Sequence, residues 1–288
     1  MADDRTDYRD GYLVVRDGLR LHYRDYSGSS ERPPLVCLHG LTRNARDFAD
    51  FAKRLSPRFR VIALDFAGRG DSDFDPLPAR YNPLVYAGDV VGLLNELGIE
   101  RAIFVGTSLG GLVTMLLATT APERIAGAVL NDVGPELEAA GLERIKSYVG
   151  KDLRFADWDE AAETIAANNQ HLPVNYAHAD WVKAAKRACR EENGRVRYDY
   201  DMAIADVFSA ANSRVQVDLW PMFAALAQKP LLIVRGEKSD LLAPDAFERM
   251  EATAPTVRSV VVAGAGHAPT LTEPEATVAI DQFLDTAV

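Results

Sequence analysis

Short runs of consecutive apolar residues punctuate the chain: Leu35–Leu38, Val61–Leu64, Ala102–Val105, Gly127–Leu130, Leu231–Val234 and Ser259–Val262. Runs this short and this apolar read as strands buried on both faces. Between them the apolar spacing changes to helical. Phe48, Phe51 and Leu55 share one face of a segment that Asn44 can cap. Val90, Val91, Leu94 and Leu97 share one face of Pro83–Leu97, which Gly98 closes. Pro274–Leu284 is a last amphipathic helix. Near the start, Gly11–Arg16 and Leu19–Tyr26 alternate around Asp17-Gly18, a favoured pair for a tight hairpin turn. Residues 1–8 form a loose tail. Buried strands alternating with helices specify an α/β protein, with a mostly parallel sheet flanked by helices and an antiparallel hairpin at one edge.

The alternation breaks between Gly134 and Gln216. Leu137–Val149, Trp158–Ala167 and Asp180–Arg190 are amphipathic in helical fashion, and no convincing strand is visible. The expected organisation is a core domain of residues 1–133 and 217–288, with residues 134–216 inserted as a helical cap, or lid. Placed at the carboxyl ends of the strands, where open α/β sheets bind ligands, the insertion would roof the site.

Composition removes alternatives. The 288-residue chain is 48% hydrophobic, enough for a core, and its net charge is −10. That balance opposes nucleic acid or an anionic membrane as a partner. The acidic, polar start resembles no secretory signal, and no apolar run has the length of a membrane span. Two cysteines, Cys37 and Cys189, make no disulfide framework and fit a reducing cytoplasm. No Cys/His cluster has zinc spacing, and the serine chemistry expected below requires neither metal nor organic cofactor.

The candidate chemistry sits just past the strands. Gly106-Thr107-Ser108-Leu109-Gly110 joins an apolar strand to an apolar helix, the pattern of a turn that lifts a serine hydroxyl clear of a sheet. A serine hydroxyl needs a base, and His267 in Gly266-His267-Ala268-Pro269 follows the last strand. His22, on the edge hairpin, and His171 and His178, in the insertion, fit less well. The base needs a carboxylate to fix its tautomer. Asp240, in Gly236-Glu237-Lys238-Ser239-Asp240, is the favoured candidate, and Asp132, directly after Leu130-Asn131, is its rival. Oxyanion donors are expected from the backbone N–H of Leu109 and of Leu41, the latter in His39-Gly40-Leu41.

These pieces, together with Asp65-Phe66-Ala67-Gly68-Arg69-Gly70-Asp71-Ser72, resemble the α/β-hydrolase superfamily, specifically its capped serine-esterase-like branch. The resemblance implies an eight-stranded sheet with the second strand antiparallel, and a helical cap after the sixth strand. It supports Ser108, Asp240 and His267 as nucleophile, acid and base. In this family the Gly68–Ser72 loop is structural. The expected reaction is hydrolysis of a small carboxylic ester or lactone through an acyl-enzyme on Ser108. A serine nucleophile argues against dehalogenase or epoxide-hydrolase chemistry. Ala268-Pro269-Thr270 lacks the tryptophan typical of the family's carbon–carbon bond hydrolases, which leaves that reaction and perhydrolysis as alternatives. A ligand receptor on the same scaffold is an alternative of another class.

Three weaker signals remain. Arg43 either meets an anionic substrate or, as the commoner outcome, faces solvent. Lys183, Lys186, Arg187 and Arg190 form a basic stripe that ordinary amphipathic spacing assigns to a solvated face. Trp158, Tyr176 and Trp220 are candidate pocket aromatics.

Overall fold

The computed structural model describes residues 8–168, 176–206 and 218–286. An eight-stranded sheet runs in the order β1-β2-β4-β3-β5-β6-β10-β11. Its strands are β1 (Tyr8–Val14), β2 (Arg20–Tyr26), β3 (Leu35–Leu38), β4 (Val61–Leu64), β5 (Ala102–Thr107), β6 (Ile125–Asn131), β10 (Leu231–Gly236) and β11 (Val257–Val262). β2 pairs antiparallel with both β1 and β4, and every other pairing is parallel.

The continuous apolar runs are explained by the two faces they serve. Along β3, Leu35 and Cys37 enter one core while Val36 and Leu38 enter the other. β5 repeats this, with Ile103 and Val105 on the first side and Phe104 on the second. One face is covered by α1 (Ala49–Leu55) and α9 (Pro274–Thr286), through Phe51, Leu55, Ile280 and Phe283. The other is covered by α2 (Pro83–Glu96), α3 (Leu109–Thr120), α7 (Trp220–Leu226) and α8 (Pro244–Glu251). Asn82 caps α2 by accepting from Val85 N–H, and Asn44 accepts from Arg46 N–H ahead of α1.

Two expectations need correction. The first hairpin does not turn on a two-residue loop: β1 ends at Val14 and β2 starts at Arg20, with Asp17 and Gly18 at φ 56° and 81° inside a wider turn. The Val15 N–H closes that turn on Leu19 O at 2.8 Å.

The inserted segment is also not purely helical. Besides α4 (Ala139–Tyr148), α5 (Trp158–Asn168) and α6 (His178–Ala188) it contains a second sheet of three antiparallel strands, β7 (Arg154–Phe155), β8 (Cys189–Glu192) and β9 (Arg195–Tyr198). These strands are short and mostly charged, so they lack the apolar signature of the large sheet. Their turn does carry a signal. Glu192 pairs with Arg195 across Asn193-Gly194, whose φ angles of 52° and 72° are those of a tight two-residue hairpin. Phe155, Ala162, Ile165, Ala188 and Val196 give this segment a small core of its own. Residues 207–216, the expected end of the insertion, lie outside the described residues, as does His171.

Candidate active site

The β5–α3 turn sets the position of Ser108. Its φ of 51° and ψ of −114° are strained for a residue with a side chain, and two glycines make the turn possible. A Cβ on Gly106 would lie 2.5 Å from Gly110 O, and one on Gly110 would lie 2.0 Å from Leu38 O. Only hydrogen fits at either position. Strand, turn and helix therefore close tightly, and the serine hydroxyl stands at the carboxyl end of the sheet.

Ser108 Oγ lies 3.1 Å from His267 Nε2. The other ring nitrogen, Nδ1, lies 2.8 Å from Asp132 Oδ2, and Asp132 is fully buried. Gly236 N–H donates to Asp132 Oδ1 at 2.8 Å and the Ser239 hydroxyl donates to Oδ2 at 2.6 Å. A carboxylate surrounded by donors accepts from Nδ1–H, which leaves Nε2 as the acceptor for the serine proton.

Asp240 is elsewhere. Its carboxylate takes a two-pronged bond from Arg144 on α4, at 2.5 and 2.8 Å. That bond, reinforced by the nearby His267, holds the Asp240 carboxyl below its ordinary range. The expected assignment of Asp240 as the partner of His267 is thus corrected to Asp132. The reason is positional: Asp132 is the first residue past β6 and stays at the sheet, while Asp240 lies several residues beyond β10, where the insertion claims it. Ser239, one residue earlier, supplies a hydroxyl to Asp132 instead.

The two expected oxyanion donors are free. Gly110 N–H bonds His39 O, and Gly111 and Leu112 N–H both bond Ser108 O. Among the described residues the Leu109 N–H at the start of α3 has no acceptor, as expected of a helix N-terminus, and neither has that of Leu41. The Leu41 peptide is held from behind, because the buried Arg69 donates from Nε to Leu41 O at 2.9 Å. Arg69 also bonds Ala67 O at 2.8 Å and the Tyr86 hydroxyl at 2.5 Å. The motif loop Gly68–Ser72 thereby braces the site from outside it.

His39 is a structural member of the same loop. Its Nε2 accepts from Phe66 N–H at 3.0 Å and its Nδ1 donates to Gly40 O at 2.7 Å. Burial drives its pKa down to about 4, against the pull of Asp65. His22 likewise serves the scaffold, spanning Asp65 at 2.7 Å and Asp10 at 2.8 Å. His22, Asp65 and Asp71 bring metal-ligand atoms within 4.8 Å of one another, but both His22 nitrogens are engaged and the group does not border the cavity.

A cavity of about 450 Å³ lies over Ser108 and His267, between the sheet loops and α4, α5, α6 and β9. Tyr176 lines it, whereas Trp158 and Trp220 do not; Trp220 donates instead to Glu136 at 2.7 Å. Arg43 lines it too and is paired with Asp47. Most of the basic stripe is not a free solvated face. Lys183 and Arg187 reach Asp50 at 3.0 and 2.6 Å, and Arg190 reaches Asp71 at 3.2 Å, so the stripe ties α6 and β8 to the core, with Lys186 left exposed.

A serine on a strained elbow, a histidine within reach of it and two unengaged N–H groups thus meet at the carboxyl end of the sheet. The model of the alpha/beta hydrolase family matches residues 35–280. The chain belongs to the α/β-hydrolase family. This hydrolase is 35% identical over 272 residues to a 3-hydroxybutyrate-oligomer hydrolase from Cupriavidus necator, with 92% of each chain covered. It is 30% identical to a 2-(acetamidomethylene)succinate hydrolase from Mesorhizobium japonicum, with 88% of each covered. A crystal structure of an alpha/beta hydrolase from Novosphingobium aromaticivorans superposes with a TM-score of 0.93 at 48% identity, covering 99% of this chain and 100% of that one. Among the described residues of this α/β-hydrolase, no helix is long and apolar enough to cross a membrane.

Proposed function

We propose that this enzyme hydrolyses a small carboxylic ester, through an acyl-enzyme on Ser108. The observation that carries the reading is the continuous relay from Ser108 Oγ through His267 to Asp132, at 3.1 and 2.8 Å. His267 Nε2 takes the serine proton as Oγ attacks the ester carbonyl carbon. The N–H groups of Leu41 and Leu109 receive the oxyanion, and Asp132 stabilises the imidazolium. The tetrahedral intermediate collapses, and the alcohol leaves with the proton from His267. Water then gives a proton to the same nitrogen and attacks the acyl carbon. The second intermediate expels Ser108, which recovers that proton, and the acid departs.

An ester or lactone substrate is favoured by the 3-hydroxybutyrate-oligomer hydrolase, since such oligomers are linked by ester bonds. A cytoplasmic location fits the two buried, unpaired cysteines. The reading is tested by steady-state turnover of short-chain nitrophenyl esters beside ring-fission ketones, together with labelling by a fluorophosphonate. Ester turnover and labelling confined to Ser108 are expected. Ketone turnover without ester turnover would overturn the ester assignment, and folded protein that resists the label would overturn the nucleophile.

A further inference from the structure

Arg43, Lys183 and Arg187 line the same cavity as Ser108 and His267. Arg43 follows Leu41 closely in the oxyanion loop, and Gly40 lies between it and the nucleophile. A Cβ placed on Gly40 would sit 3.5 Å from Arg43 Cγ and 3.8 Å from Ser108 Cβ, so the two side chains flank one glycine. Arg43 gives Nε and Nη2 to Asp47 at 2.7 and 2.6 Å. Its remaining nitrogen, Nη1, makes no hydrogen bond among the described residues, and the side chain keeps 33% of its surface exposed.

Lys183 and Arg187 both converge on Asp50, so three cations share the hydrogen bonds of two carboxylates, Asp47 and Asp50. Asp180 also borders the cavity and keeps its charge, but its carboxylate is held at the start of α6, where it accepts from Ala177 N–H at 2.9 Å rather than pairing with these cations. Arg144 is matched by Asp240. A chain of net charge −10 therefore groups three cations beside Ser108, one of them with a guanidinium nitrogen unengaged, in a cavity whose walls focus the field.

We propose that these residues form a carboxylate subsite: the ester cleaved at Ser108 carries a second, ionised carboxylate, received by Arg43 Nη1 in the field of Lys183 and Arg187. Arginine suits the task because its planar fork stays oriented by Asp47 while one edge remains available. The inference rests on the serine-ester reading above and adds the charge of the substrate to it.

The test compares two esters of one chain length, para-nitrophenyl hexanoate and mono-para-nitrophenyl adipate. One ends in a methyl group and the other in a carboxylate. The adipate ester is expected to be favoured by about tenfold or more in kcat/KM, the scale of one charged hydrogen bond. Arg43→Met should bring the ratio close to one, Arg43→Lys should keep part of it, and Lys183→Met should lower it a few-fold. Added salt should lower it in the parent enzyme. The ratio is internal to each variant, so a poor yield of folded protein does not shift it. Turnover of both esters without an adipate preference would overturn the subsite and leave the serine reading intact. A preference that survives Arg43→Met unchanged would do the same. Failure of both esters, with Ser108 unlabelled by fluorophosphonate, would overturn the serine reading and the subsite with it.

Discussion

The large sheet and the small sheet of the inserted segment are held together by different forces. In the large sheet whole strands vanish from solvent: Leu35–Leu38 and Val61–Leu64 are buried at every position. Such a structure is rigid, and it can impose a strained φ on Ser108 because the surrounding backbone leaves no slack. In the small sheet Cys189–Glu192 and Arg195–Tyr198 are largely charged, and the small core beneath them contains several alanines. This segment meets the core through ion pairs at the surface, Asp50 with Lys183 and Arg187 and Asp71 with Arg190, as well as through Ile145, Val149, Tyr200 and Ile204, which enter the main core. The proposed chemistry accordingly stands on the sheet, and much of the cavity wall stands on the insertion.

The sharpest division concerns the two carboxylates that follow β6 and β10, Asp132 held at the sheet beside His267 and Asp240 paired with Arg144 of the insertion. Ser108→Ala should reduce kcat/KM by about ten-thousand-fold or more, and Asp132→Asn by about a thousand-fold or more. Asp240→Asn, which loosens a surface pair with Arg144, should stay within about tenfold, as steady-state kinetics will read. Activity lost with Asp240→Asn and kept with Asp132→Asn would reverse the assignment.

Backbone crowding comes next. Gly110→Ala drives a methyl group into Leu38 O and should lower unfolding stability by about 2–4 kcal/mol in urea titrations. Gly194→Ala meets nothing within 4 Å and suffers only from its φ of 72°, for a loss of about 1 kcal/mol. Equal losses would remove the contrast between a packed and an open turn.

Acid acts on the packed side through His39. Its pKa lies near 4 when folded and 6.5 when unfolded, so the unfolded chain binds the proton more tightly. The stability it contributes is complete above pH 6.5 and drains away as pH falls toward 4, by about 3 kcal/mol. Urea midpoints measured across that window should fall, and His39→Gln should flatten the slope. The smallest effect is on the ion pairs: Lys183→Met should change unfolding stability by less than about 1 kcal/mol, since both partners are partly solvated.

The core was legible because burial on two faces leaves an uninterrupted apolar run, and helices between such runs repeat at their own period. Ser108 and His267 stood out because each follows an apolar strand within a run of small residues, although β11, which the apolar run suggested was buried on both faces, is an edge strand that buries only Val262. The small sheet escaped notice because Arg-Val-Arg-Tyr and Cys-Arg-Glu-Glu carry almost no apolar alternation, although Asn193-Gly194 marked the turn between them. The basic stripe escaped for a related reason: helical spacing shows which residues share a face but not which carboxylates of another element stand opposite.

From sequence alone come the class of fold, the succession of its apolar strands along the chain and the residues proposed as nucleophile, base and backbone donors, because each depends on a pattern local to the chain. The partner of His267 was decided in three dimensions. Asp132 and Asp240 both follow strands that are neighbours in the sheet, and the choice between them depends on where His267 arrives and on what Arg144 brings from the insertion. A hydrogen bond spanning 135 positions leaves no periodic trace, since it rests on the meeting of two loops rather than on the composition of either.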